Sequence, residues 1–346
     1  LDVTAKFRRA LLHSVFCCAL GFAWLGRSAI ANEPMMQNPI AENPVAAVSA
    51  PADPRAFDGE AAYAYLKLIC DFGPRPSLSE GMRKQREFLK QHFIALKAEV
   101  IEQPFPAREP NSGQVVHLTN LVVRWHPERK KRLLFCCHYD TRPFPDRDPV
   151  NPRGVFIGAN DGGSGVAVLC ELGKQIAEMD GPYGVDFVFF DGEEFVYFDK
   201  RDPMFLGSTF FAQQYATQRF DWKYQFGILL DMVGDKELQI YYEGHSLGFA
   251  PRLTRSIWGV AQELGVKEFV AKERHKINDD HVPLNTIARI ETCDIIDFDF
   301  PNPESNNAYW HTEKDTVDNC SADSLGKVGK VVLEWLRQMQ RMNKKK

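Results

Sequence analysis

From residue 57 to residue 342 the chain switches repeatedly between two hydrophobic rhythms. Residues 57–70 and 79–97 place apolar side chains at helical spacing, with Ser77 or Ser79 as the cap of the second segment and "DFGPRP" as a breaker between them. Short β-rich runs follow at 99–105, 115–125 and 132–137. The pattern then predicts a helix over 164–179, a strand over 185–190, a helix over 206–216, a strand over 226–233, a helix over 248–265 and a strand over 294–300. A terminal helix over 321–342 has Ser321 as its cap. Apolar strands alternating with amphipathic helices predict an α/β sheet buried on both faces. No internal repeat and no second composition regime interrupts this pattern after residue 55.

The first 31 residues follow a different pattern. "KFRR" (6–9) is a positive n-region, "ALLHSVFCCALGFAWLG" (10–26) an apolar run and "AIA" (29–31) a small-x-small cleavage site, the order of a secretory signal peptide. An uncleaved membrane anchor is the alternative; His13 and the borderline length of the run argue against it. Residues 32–54 are rich in Pro, Ala and Asn and read as a flexible linker, which leaves 55–343 as the folded catalytic domain. Export, periplasmic or secreted, follows from this reading, with no stable membrane insertion after cleavage. The 346 residues, 44% hydrophobic and 25% charged, suffice for a substantial core. A formal net charge of −4 without a basic stripe argues against a nucleic-acid partner. Of the cysteines beyond the leader, Cys70, Cys136, Cys137, Cys170, Cys293 and Cys320, none makes a C-x-x-C pattern, and small core residues are the expected role.

Candidate chemistry collects where strands end. In an open parallel α/β sheet the ligand site lies beyond the carboxyl ends of the strands. "RLLFCC" runs into "HYD" (138–140), "VDFVFF" into "DGEE" (191–194), "FGILL" into Asp231, and "DIIDFDF" leads to "WHT" with His311. Between the first two, "GANDGGSG" (158–165) sets Asp161 before a glycine-rich helix start. Each residue alone has an ordinary structural role available, as core histidine, turn or cap; five coincidences at strand ends point to a site. Imidazole and carboxylate donors without thiolate suit a catalytic zinc with three protein ligands and an open position. Asp161, one of Glu193 and Glu194, and His311 meet that description. The other glutamate is then free to move protons.

"HYD", "GANDGGSGVAVLCEL", "FFDGEE", "FLGS", "LLDMVG", "NDDHVPL" and "YWHT" stand in the order found in the zinc aminopeptidase and glutaminyl cyclase family, and over about residues 57–340 the chain resembles its members. "FFDGEE" with the stretch to "GS", and "DDH" before "WHT", make it more similar to the cyclase branch. The resemblance implies a zinc exopeptidase-like fold: a single domain with a mixed, mostly parallel twisted sheet covered by helices on both faces. It also implies Asp161, Glu194 and His311 as zinc ligands and Glu193 as the proton-transfer residue, with Asp231 and Asp279 in a catalytic hydrogen-bond network. Trp310 is implied as the aromatic wall of the substrate pocket, and His281, which completes "DDH" with Asp280, is a candidate substrate-binding residue. Three departures bear on substrate preference. A tryptophan of the animal cyclases after the glutamate pair has no counterpart, although Phe198 lies near; the usual disulfide partner of Cys137 is missing; and a histidine before the last motif is Asp294 here.

Two reactions fit these residues. A cyclotransferase would convert the N-terminal glutamine of a peptide or protein to pyroglutamate with release of ammonia, using one zinc. An aminopeptidase would hydrolyse the first peptide bond, with His138 and Asp231 joining Asp161, Glu194 and His311 around two zincs. Either way the expected partner is a peptide or protein N-terminus, and the expected cofactor is metal alone.

Overall fold

A computed structural model describes Asp53, residues 55–198 and residues 200–341; the leader and nearly all of the linker lie outside the described residues. The central sheet has six strands: β1 (Glu99–Arg108), β2 (Val115–Trp125), β3 (Lys131–His138), β4 (Tyr183–Phe190), β5 (Lys223–Asp231) and β8 (Thr292–Ile296), in the order β1-β2-β4-β3-β5-β8. β4, β3, β5 and β8 pair in parallel, and the β1–β2 hairpin extends the sheet antiparallel through β2–β4. The mixed, mostly parallel sheet is therefore present. β6 (Ile240–Tyr242) and β7 (Phe269–Glu273) form a separate parallel pair that the hydrophobic pattern did not announce.

Strand periodicity divides the core. Leu133, Phe135 and Cys137 of β3 and Val185, Phe187 and Phe189 of β4 face one layer, formed by α1 (Gly59–Asp71), α2 (Glu80–Ala95), α3 (Gly165–Gly173), α6 (Pro251–Glu263) and α8 (Ala322–Arg341). Leu134, Cys136, Val188 and Phe190 point the other way, onto Phe211 and Ala212 of α4 (Leu206–Thr217) and Leu284 of α7 (His281–Thr286). Cys136, Cys137, Cys170, Cys293 and Cys320 are buried free thiols and Cys70 is partly buried, as the apolar context of the first three suggested. Ser79 caps α2 by accepting from the Met82 N–H, and Ser321 accepts from Ser324 at the start of α8. No described helix is long and apolar enough to cross a membrane.

Two predicted helices are shorter than their patterns. The 164–179 run forms α3 only over Gly165–Gly173 and then tightens into turns, with the Lys174, Gln175 and Ile176 N–H groups bonded three residues back to Glu171, Leu172 and Gly173. Just ahead of α3 the backbone is not helical: Asp161 is extended and Gly162 has φ 86°. A side chain at Gly162 would put its Cβ 2.4 Å from the carbonyl oxygen of Asp140, so the close approach requires glycine. The 248–265 run breaks at Ala250, whose φ of −131° ends α5 (Gly244–Phe249) and precedes Pro251 in the first turn of α6.

Candidate active site

The carboxyl ends of β3, β4 and β5 deliver His138, the Asp191–Glu194 turn and Asp231 to one edge of the sheet. The glutamate turn is held from beneath by Asp140, whose two carboxylate oxygens accept the N–H groups of Glu193 (3.3 Å) and Glu194 (3.0 Å). Asp191 is anchored separately, accepting from the Thr119 N–H and the Ser77 hydroxyl. Asp161 reaches the same place because Asp315 accepts the N–H groups of Asn160 and Asp161, while Asn160 and Ser164 accept from Gly234 and Val233 just past β5.

Two overlapping sets of donor atoms result, each within 4.8 Å: Asp161, Glu194 and His311, and His138, Asp161 and Asp231. All but Asp231 are buried. His311 Nε2 lies 3.1 Å from Glu194 Oε1 and 3.3 Å from Asp161 Oδ2, and its Nδ1 is 3.2 Å from Asp146 Oδ1. His138 has Nδ1 3.1 Å from the Asp140 carbonyl oxygen and Nε2 3.1 Å from Asp231 and 3.3 Å from Asp161. With the proton on Nδ1, donated to the Asp140 carbonyl by His138 and facing Asp146 in His311, each imidazole aims its Nε2 lone pair at two carboxylates. Acceptors facing acceptors need a cation or a proton between them. Asp161 Oδ2 is buried without a hydrogen bond, so the chemistry of this donor set fits a metal ion.

The paired glutamates have opposite environments. Burial, followed by the charge of Glu194, holds the Glu193 carboxyl well above the usual carboxylate range. Glu194 is equally buried, yet the Arg142 guanidinium, 2.6 Å from Oε2, and the charge of His311 bring it below that range. His311, against the lowering effect of burial, is pushed up to about 10 by the charge of Glu194 and its contacts with Asp146 and Asp161. Arg142 also grips Asp146 at 2.9 Å, tying together the groups behind Glu194 and His311. Arg142 and Asp146 escaped the sequence reading; an arginine and an aspartate four apart, directly after a strand-end histidine, were the available signal.

The remaining predicted residues are near but not equivalent. Trp310 is partly buried, with its ring 4.0 Å from the His311 ring, 5.0 Å from Phe298 and beneath the Arg147 guanidinium at 4.0 Å. A depression of about 840 Å³ lined by Arg147, Val150, Asn307 and Lys314 adjoins it. Asp279 is buried, and burial together with the charge of Asp231 raises its carboxyl well above the usual range. Asp280 accepts from the Ser208 hydroxyl at 2.5 Å. His281 is wholly buried against Glu243. Phe198, in place of the missing tryptophan, is 40% exposed under the Arg201 guanidinium.

Residues 120–336 match Peptidase family M28. The chain belongs to that family. In three dimensions it is similar to a glutaminyl cyclase of Fimbriiglobus ruber, with a TM-score of 0.76 and 37% identity over 81% of this chain and 95% of that one. A Zn-dependent exopeptidase of Parabacteroides distasonis superposes with a TM-score of 0.75 at 31% identity, covering 85% of this chain and 100% of its own. The glutaminyl-peptide cyclotransferase of Gloydius blomhoffii is 27% identical over 296 residues, 75% of this chain and 76% of its own. The M28 domain is thus of the zinc exopeptidase-like kind that glutaminyl cyclases share.

Proposed function

We propose that this M28 member is a zinc-dependent glutaminyl-peptide cyclotransferase, acting after export on the N-terminal glutamine of peptides or proteins. The observation that carries this reading is the likeness to a glutaminyl cyclase, 37% identical over 81% of this chain, together with a buried Glu193 beside the Asp161, Glu194 and His311 donor set. Asp161, Glu194 and His311 would hold the zinc, which supplies Lewis-acid polarisation of the side-chain amide carbonyl. Glu193 takes a proton from the substrate α-amine as its nitrogen bonds to the amide carbon. It returns that proton to the amide nitrogen as the old C–N bond breaks and ammonia leaves. A raised carboxyl suits this, because the group must release a proton as readily as it accepts one. Asp231 and Asp279 position and neutralise the amine, and ring closure gains from being intramolecular. Trp310 forms a wall against which the glutamine side chain is held.

The second reading, an aminopeptidase, is favoured by the His138–Asp161–Asp231 set, which shares Asp161 with the first and could hold a second metal. Glu193 would then take a proton from water attacking the first peptide bond. Zinc per chain, measured beside ammonia release from a Gln-peptide and amino-acid release from the same peptide, separates the two. Ammonia with an intact peptide chain supports the cyclotransferase; a freed N-terminal residue overturns it.

A further inference from the structure

Beyond Asp279, away from the Asp161 ligand set, lies another group of buried donors. Asp279, His281 and Asp294 offer ligand atoms that all lie within 4.8 Å of one another, and none of the three is more than 4% exposed. They come from the turn entering α7 and from the middle of β8.

His281 stands between two carboxylates. Its Nε2 is 3.1 Å from Glu243 Oε2, and its Nδ1 is 3.7 Å from Asp294 Oδ2. Glu243 is fixed in place: it accepts the N–H groups of His245, Ser246 and Ile277 and the Ser246 hydroxyl. Glu243 Oε2 is close to Nε2, although the geometry makes no hydrogen bond there; an imidazole that carries its proton on this side presents its Nδ1 lone pair on the side of Asp294. At 3.7 Å that separation is too long for a hydrogen bond and leaves room for a shared neighbour.

The surroundings provide no such neighbour from the protein. Both Asp294 carboxylate oxygens, Asp279 Oδ2 and both ring nitrogens of His281 are buried without hydrogen-bond partners. Among the described residues no lysine or arginine forms an ion pair with Asp279 or Asp294. Asp279 Oδ1 accepts from the Asp280 N–H, so its other oxygen is the one presented to the cluster. An imidazole oriented by an outer carboxylate and aimed, with two further carboxylates, at one point is how proteins hold a divalent metal. We infer that Asp279, His281 and Asp294 bind a divalent cation of the kind that accepts mixed imidazole and carboxylate donors, with zinc or manganese the natural candidates. This cation is distinct from one held by Asp161, Glu194 and His311. Glu243 orients His281 for it. Because Asp279 also belongs to the proposed catalytic network, the cation would hold that carboxylate in place from behind.

The test uses the full chain, stripped with a chelator, dialysed and reloaded with zinc alone. Crystals of the reloaded protein are measured at the zinc absorption edge. An anomalous peak among Asp279, His281 and Asp294 is expected; a water molecule or no peak there overturns the inference. In solution, Asp294→Asn should bind one zinc per chain fewer than the parent, and Asp294→His, which restores a ligand, should recover it. Glu194→Gln should lose a different equivalent, so the double variant loses both. If Asp294→Asn binds as much zinc as the parent, the site does not exist. Should Asp294→Asn fail to fold, the anomalous map of the parent still decides. Loss of zinc only at Asp161, Glu194 and His311, or absence of cyclisation, would bear on the proposed function and not on this site.

Discussion

The same parallel strands bury charge at both ends, and the two ends do it differently. At the amino-terminal end, Arg132 of β3 and Asp186 of β4 are wholly buried and bonded to each other. Arg132 also donates to the carbonyl oxygens of Trp125, His126 and Arg129, while Asp186 accepts from Arg124 and, at 2.5 Å, from the Tyr224 hydroxyl. Neither residue has a buried polar atom without a partner. At the carboxyl-terminal end, Asp140, Asp161, Asp191, Glu193, Glu194, Asp279 and Asp280 are all buried, and the buried basic side chains among them, His138, His311, Arg142 and Arg75, are fewer. Asp161, Asp279, Asp280 and His311 each keep an unsatisfied atom there. Buried charge costs several kcal/mol per ion unless it is paired. One end meets that cost with its own side chains. The other is complete only when something else is bound, which is the physical signature of a site.

The largest expected effect sharpens this contrast within the site. Glu193→Gln keeps the shape of the side chain and removes its ability to carry a proton, so turnover should fall about 10²–10⁴-fold while zinc content and substrate affinity change little. Glu194→Gln should lower both zinc content and activity, with added zinc restoring part of the latter. Metal analysis beside initial rates checks the pair; equal loss of zinc in both variants would break the division of labour.

The next effects belong to the opposite end. Asp186→Ala leaves the Arg132 guanidinium buried and unpaired, and should cost about 3–5 kcal/mol of stability by denaturant unfolding without altering zinc binding. Tyr224→Phe removes one donor to a carboxylate that retains Arg124 and Arg132. It should cost about 1.5–3 kcal/mol, the range for a hydrogen bond to a charged group.

How much of this was legible from the chain depends on how far each partner lies in sequence. Strands such as 132–137 and 185–190 announce themselves because they are apolar on both faces, and the site residues at their ends follow from the rule for parallel sheets. His138, Asp161, Glu193, Glu194, Asp231 and His311 do come together there. The supports do not announce themselves. Asp315 holds a loop more than 150 residues earlier, Arg142 reaches Glu194 across 52 positions, and Glu243 finds His281 only through the packing of α5 against α7. Local pattern also misjudged helix length, past Gly173, where α3 gives way to tighter turns, and at Ala250 before Pro251.

The smallest expected effect is the most direct comparison of the two ends, since it makes the same change at both. Asp→Asn preserves volume and one carbonyl acceptor while withdrawing the charge. At position 186 that charge is what the two arginines and Tyr224 are arranged around, so Asp186→Asn loses much of the pairing and should destabilise the protein by several kcal/mol. At position 279 burial, with the repulsion of Asp231 and Asp280, holds the carboxyl well above the usual range. An ionised Asp279 is repelled by these neighbours, and a protonated one already resembles the amide. In metal-free protein, therefore, Asp279→Asn should leave the unfolding free energy within about 1 kcal/mol of the parent, or raise it, even though the side chain is no less buried than a core residue. Urea unfolding of both variants after chelation measures the difference. If the two substitutions destabilise equally, the carboxyl-terminal end is as self-sufficient as the amino-terminal end, and its unsatisfied groups would no longer mark a place that waits for a ligand.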